Sequence, residues 1–205
     1  MLALVVRGAT DRFVTRSPGV ETRHCFSFGR HYDPAHVAHG RLVLHDEHLL
    51  APGAGFEPHS HRDVEVVSWV LEGALLHEHD GQRATVPAGS LQRMTAGTGV
   101  VHAERAGDRP TRFVQLWLAA DPGASPSHEQ VVAGDLAEVL PGVHAGRLDG
   151  RWTLPDVPRA HLFVAAGDCR VDGVRLVQGD SVRLTGAGAQ ALTGQALLLA
   201  IALGE

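Results

Sequence analysis

Five glycines, Gly73, Gly81, Gly89, Gly97 and Gly99, cut the stretch 53–104 into short runs. The runs 64–71, 84–86 and 91–95 are β-prone, and such runs bounded by glycine read as antiparallel hairpins, not as helices. The same stretch opens with His59 and His61 and closes with His102 and Glu104. In a strand, residues i and i+2 point to one face, so each pair can present both side chains to a single point. Two such strands facing each other inside a small barrel bring four metal-ligand groups together from distant parts of the chain. Three imidazoles and one carboxylate are donors of intermediate hardness, suited to Fe(II), Mn, Ni, Cu or Zn. A six-coordinate ion on four protein ligands keeps two positions for a bidentate substrate, or for substrate and O₂ together.

Single histidines carry little weight here. With 14 histidines in 205 residues, about one His-x-His pair arises by chance, and a second pair, His77 and His79, is present. His79 abuts the Asp80–Gly81 turn and reads as solvated. Gln92 and Met94 lie two apart and share a face, Gln92 toward a pocket and Met94 equally toward a core. Trp69, Trp117 and Trp152 read as core or lobe-interface residues. His24, Phe26 and Phe28 alternate, which puts three side chains on one face, with the two phenylalanines as core and His24 as a hydrogen-bonded wall residue.

The net charge of −5 gives no basic surface for direct nucleic-acid binding. No apolar run approaches the roughly 18 residues of a membrane span, and the start of the chain has no signal-peptide pattern, so a cytoplasmic location is expected. Cys25 and Cys169 are far apart and read as free thiols in a reducing compartment.

Downstream, 121–127 reads as a linker, 134–140 as a short helix and 147–154 as a strand pair. From His161 onward the glycine-punctuated pattern returns: Asp172–Gly173 echoes Asp80–Gly81, between Gly167 and Gly179. An internal repeat of one β unit argues for two lobes. In the second copy the positions matching His59, His61 and His102 are Thr153, Pro155 and Leu192, so that lobe is expected to hold no metal. The expected architecture is all-β, a bicupin of two antiparallel, jelly-roll-like barrel lobes. Residues 1–123 form the metal-binding lobe and 124–205 the structural one.

The pattern HxHxxxE, followed by VLEG and then PAGxxQxMTAGTGxxHxE, runs from Phe56 to Glu104. It resembles the first cupin domain of the pirin family, and in layout the short bacterial pirin-like proteins, some of which are similar in activity to quercetin 2,3-dioxygenase. The resemblance implies iron as the metal and His59, His61, His102 and Glu104 as its ligands. Glu65, the glutamate that many cupins use after HxH, becomes a neighbour of the site or an alternative ligand. His77 matches a family histidine that lines the cavity. The implied reaction is dioxygenation of a flavonol-like phenolic substrate by O₂, with Glu104, or failing it Glu65, as the catalytic base. The alternative is a redox-dependent regulatory protein that binds a protein partner without turnover. A monomer is expected in either case.

Overall fold

In the computed structural model, which describes residues 2–186 and 188–204, the chain is almost entirely strand. It divides into two units: Phe13–Val132, and the residues up to Arg12 together with those from Ala133 onward.

Numbered along the chain, the Phe13–Val132 unit contains β2 (Phe13–Ser17), β3 (Val20–His24), β4 (Leu42–Leu50), β5 (Gly55–His61), β6 (Val64–Glu72) and β7 (Ala74–His79). It continues with β8 (Gln82–Pro87), β9 (Ser90–Thr95), β10 (Val100–Ala106), β11 (Thr111–Ala119) and β12 (Ser127–Val132). Seven of these form one antiparallel sheet in the order β12-β9-β6-β11-β4-β3-β2, and four form a second in the order β5-β10-β7-β8. The β7–β8 hairpin turns on Asp80 and Gly81 with φ of 48° and 73°. Positive φ at both positions is what a two-residue hairpin matching the strand twist requires.

The interior of this unit is layered. At one level Val66, Met94 and Val100 cluster with the partly buried Val64 and Trp117. At another, Val20, Leu50, Val70, Leu75, Val86, Ala106 and Phe113 form a second apolar cluster. Along β6 the inward sequence is Val66, Ser68, Val70; along β10 it is Val100, His102, Glu104, Ala106; along β11 it is Phe113, Gln115, Trp117. Each strand thus carries polar side chains between two apolar layers, and the polar layer is where the site lies.

The other unit is a seven-stranded antiparallel sheet of β1 (Ala3–Arg7), β13 (Ala137–Leu140), β14 (Val143–Leu154), β15 (Arg159–Val171), β16 (Val174–Val177), β17 (Ser181–Thr185) and β18 (Gln190–Leu203). Its Asp172–Gly173 turn has φ of 47° and 76°, repeating the Asp80–Gly81 geometry as the internal repeat predicts. Its interior is aliphatic, built from Leu148, Leu162, Leu176, Leu184, Leu198 and their neighbours. Leu192 belongs to that core, whereas Thr153 and Pro155 are exposed.

Four expectations need correcting. The boundary falls after Val132, not after residue 123, because β12 adds to the edge of the first sheet beside β9. The first strand belongs to the second unit, because β1 pairs with β17. The helix expected over 134–140 is strand β13, which folds back on β14 through Pro141 and Gly142, and Gly142 takes φ 73°. A proline–glycine pair closes such a turn and cannot continue a helix. The 147–154 segment is likewise part of one 12-residue strand, β14, and not a strand pair. Both cysteines are buried and neither is in a disulfide, and among the described residues no helix is long and apolar enough to cross a membrane.

Candidate metal centre

Three neighbouring strands of the four-stranded sheet each contribute a two-apart pair. His102 of β10 lies opposite His59 of β5 on one side and His79 of β7 on the other, and Glu104 lies opposite His77. Directly opposed residues in antiparallel strands share a face, so the pairs His59/His61, His102/Glu104 and His77/His79 are all placed on one face. Burial along β10 alternates accordingly, with Val100, His102, Glu104 and Ala106 inside.

Two groups of potential ligands result among the described residues. The ligand atoms of His59, His61 and His102 lie within 4.8 Å of one another, and so do those of His77, His102 and Glu104. Nitrogens bound to one ion at about 2.1 Å sit at most about 4.2 Å apart, a spacing that small ring rotations reach. Glu104 joins the first group only through His102, so the expected four ligands are arranged as three imidazoles with the carboxylate beside them.

Hydrogen bonds fix which nitrogen of each ring is available. His59 Nδ1 donates to the Glu57 carbonyl at 2.8 Å, so its Nε2 carries the lone pair. His102 Nδ1 meets His77 Nε2 at 2.7 Å. With the proton on His102 Nδ1, its Nε2 is left as an acceptor and as a ligand. His61 Nε2 and His102 Nε2 are both buried without any hydrogen-bond partner. Buried polar atoms normally have partners, and a cation bound here would supply one to both atoms. The residues present therefore fit a metal.

The electrostatics agree. Burial, helped by His59, pushes His61 down to about 4. Burial with His59 and His77 pushes His102 down to about 2. Burial with His128, His79 and His59 pushes His77 down to about 3. The rings are neutral at pH 7 and need lose no proton to coordinate. Glu104 moves the other way: burial raises it to about 7, against the lowering effect of hydrogen bonds from Gln115 and Ser68. A buried carboxylate without a countercharge is a poor anion, and a neighbouring cation would make it a good one.

The opposite sheet holds Glu104 in place. Gln115 Nε2 donates to Oε2 at 2.8 Å, while Ser68 Oγ and Gln92 Nε2 approach Oε1 at 3.4 and 3.3 Å. Gln115 also accepts from Trp117 Nε1 at 3.0 Å. Gln115→Leu would strand both the carboxylate and the indole N–H in the interior. We expect it to lower stability by about 2–4 kcal/mol, read by urea unfolding, and metal affinity by about 10- to 100-fold, read by chelator competition.

A cavity of about 360 Å³ opens beside the centre, lined by His59, Glu104, Gln115, Trp117, Phe28 and Phe56 among others. Trp117, expected as core or lobe interface, packs on the Val66, Met94 and Val100 cluster and is also a cavity wall, its ring 4.7 Å from that of His61. Trp69 and Met94 are buried core residues. His79, expected in solvent, is partly buried with its Nδ1 enclosed and unpartnered. Glu65 is not at the centre. It pairs with Arg41 at 3.4 Å and lies 4.0 Å from Arg93, and at three residues from Ser68 it faces the other side of β6. Sequence reasoning missed Ser68, Gln115 and His128, whose ring stacks on His77 at 5.0 Å and 6°. The signal for Ser68 and Gln115 was one polar residue in an otherwise apolar strand, as in VVSWV and FVQLW, whereas His128 sits in the polar strand SHEQVV, which carries no such signal.

The family profile described as Pirin matches residues 7–118. The chain belongs to the pirin family. A Mycobacterium tuberculosis relative named "putative quercetin 2,3-dioxygenase" is 39% identical, the alignment covering 92% of this chain and 89% of that protein. A quercetin 2,3-dioxygenase of Escherichia coli K12 is 30% identical, over 88% of this pirin and 89% of the relative. Among solved structures, the bacterial pirin YhhW of E. coli in complex with nickel(II) superimposes with a TM-score of 0.88 at 24% identity, covering 99% of this chain and 100% of that one. That similarity establishes the shared bicupin fold.

Proposed function

We propose that this pirin holds one divalent transition metal, iron in its working form, on His59, His61 and His102 with Glu104 as the fourth ligand. Its reaction is the addition of O₂ to a flavonol-like phenolic compound. The observation that carries the reading is the convergence of three imidazoles, the partly buried His59 and the buried His61 and His102 with their unpartnered Nε2 atoms, beside an aromatic-lined cavity. The names of the two relatives and the nickel in YhhW support a metal-dependent oxygenase without selecting the metal.

Bound here, the metal supplies Lewis acidity toward an acidic hydroxyl and redox contact with O₂. The protein does the rest. The Glu57 carbonyl holds His59 in the tautomer that leaves Nε2 open, His77 does the same for His102 when it accepts the Nδ1 proton, and Ser68, Gln92 and Gln115 orient the Glu104 carboxylate. Phe28, Phe56 and Trp117 offer flat apolar walls to an aromatic ligand, and the two apolar layers shield the polar layer from water. Glu104 is the proposed base for the ligand's hydroxyl proton. Glu65 is withdrawn from that role by its ion pairs on the other face.

The test is O₂ consumption by protein reconstituted anaerobically with Fe(II), on addition of quercetin, with His61→Ala as control and bound iron assayed in both. Uptake in the wild type, reduced at least about 100-fold in the variant, is expected. Iron-loaded wild type that consumes no O₂ would count against this substrate class.

A further inference from the structure

The polar layer does not stop at the metal centre. Across β9, β6, β11, β4 and β3, the residues Gln92, Ser68, Gln115, Asp46 and His24 stand directly opposite one another in consecutive registers. They form one polar row on one face, and each is at most 5% exposed. The first three contact Glu104. Asp46 and His24 extend the row beyond it, and Asp46 lines the same cavity as His59 and Glu104. The metal centre gives them no task.

Their hydrogen bonds link His24 to Asp46 and to Thr15. His24 Nδ1 lies 2.8 Å from Asp46 Oδ1, and a carboxylate only accepts, so the proton sits on Nδ1. His24 Nε2 and His31 Nε2 lie 2.9 and 3.2 Å from Thr15 Oγ1. Phe28 stacks on the His24 ring at 5.7 Å and holds its plane. The neighbouring cavity wall is apolar or aromatic at Phe28, Leu44, Phe56 and Trp117. The remaining polar neighbour from β4, His48, has its Nδ1 engaged by Thr22 Oγ1 at 2.9 Å. A carboxylate buried in such a wall is costly unless donors satisfy it, and His24 Nδ1 is one such donor.

We propose that Asp46, oriented by His24, is the residue that recognises a ligand hydroxyl in this cavity, accepting its hydrogen bond and selecting polyhydroxylated aromatic ligands over their methyl ethers. The proposal rests on the phenolic reading above and deepens it. A ligand engaged at the imidazoles by one oxygen presents a second hydroxyl to Asp46. A methyl ether at that second position offers no hydrogen and adds bulk against the carboxylate. His24 is a positioning residue in this scheme, acting through Asp46.

The test is calorimetric binding, under anaerobic conditions, of quercetin and its five mono-O-methyl ethers to wild type and Asp46→Asn, each in metal-free and zinc-loaded form. In the wild type, one ether is expected to bind about 10- to 100-fold more weakly than quercetin, with or without zinc. A loss seen only with zinc marks the metal-facing hydroxyl instead. Asp46→Asn is expected to bind quercetin about tenfold more weakly and to stop discriminating against that same ether, a non-additive result. Should Asp46→Asn not fold, His24→Gln is the second arm, expected to reduce discrimination at that one position. Wild type that binds no phenol at all overturns the phenolic reading and this assignment together. Wild type that binds quercetin and all ethers equally overturns the Asp46 assignment alone. So does a variant that weakens quercetin and every ether by the same factor.

Discussion

With the proposed ligand set, replacing His102 with alanine is expected to abolish tight metal binding, with affinity falling at least about 100-fold, and to remove most of the thermal stabilisation that added metal gives. His102 is the one residue common to both ligand groups. Its Nε2 faces His59 and His61, and its Nδ1 is tied to His77 at 2.7 Å. The variant therefore loses a ligand and also the partner that orients His77. Loss of an outer hydrogen-bond partner alone costs about 10- to 100-fold in metal affinity, so removal of a ligand sets that upper figure as its floor. The effect on the metal-free protein is smaller, because the wild-type side chain keeps an unpartnered buried Nε2. The comparison to make is the melting temperature with and without Zn(II) or Fe(II), in wild type and variant. An equal metal-induced shift in the two proteins would show that the ion binds elsewhere.

The second large effect is on acid stability. In the folded, metal-free protein, burial lowers His48 to about 3, His61 to about 4, His77 to about 3 and His102 to about 2. In the unfolded chain each titrates near 6.5. Between 6.5 and these values the unfolded state binds protons that the folded state refuses, so stability falls as pH falls. Each histidine contributes up to about 1.4 kcal/mol per pH unit in that window. Glu104 has the opposite sign. Its pKa is raised from 4.5 to about 7, so the folded state holds a proton that the unfolded state has released, and acidification from 7 toward 4.5 favours folding. One carboxylate offsets about one histidine, which leaves a net slope of up to about 4 kcal/mol per pH unit below 6.5. A stability of about 5–15 kcal/mol is then exhausted within a few pH units.

Bound metal raises the whole curve by mass action, but protons compete for the same nitrogens, so the metal's contribution fades over the same range. Urea unfolding at pH 7.5, 6.5, 5.5 and 4.5, with and without chelator, measures both. Stability that stays level from pH 7 to 5 in the chelated protein would mean that these rings are solvated in the folded state.

Part of this was legible from residue order alone. Glycine spacing marked the hairpins, and the two Asp-Gly turns appear where the sequence puts them, with positive φ at both positions. The His59/His61 and His102/Glu104 pairs share a face because a strand repeats every two residues, a local rule that needs no knowledge of neighbours. The choice between Glu104 and Glu65 was not local. Strand β6 is buried on both faces through Val66, Val67, Ser68 and Trp69, so no alternation of polarity says which side looks into the barrel, and Glu65 could be placed only by seeing that it faces Arg41 and Arg93.

The same limit hid the polar row. Gln92, Ser68, Gln115, Asp46 and His24 come from five strands separated by long stretches of chain, and only strand pairing sets them side by side. Pairing likewise gave β1 to the second unit and β12 to the first. Sequence by itself marked the hairpins of the 53–104 stretch, the two Asp-Gly turns and the direction in which each His-x-His or His-x-Glu pair points, because these follow from backbone geometry over a few residues. Tertiary structure decided which strands meet, which carboxylate enters the site and which polar residues surround it, because those depend on contacts between segments that no local pattern encodes.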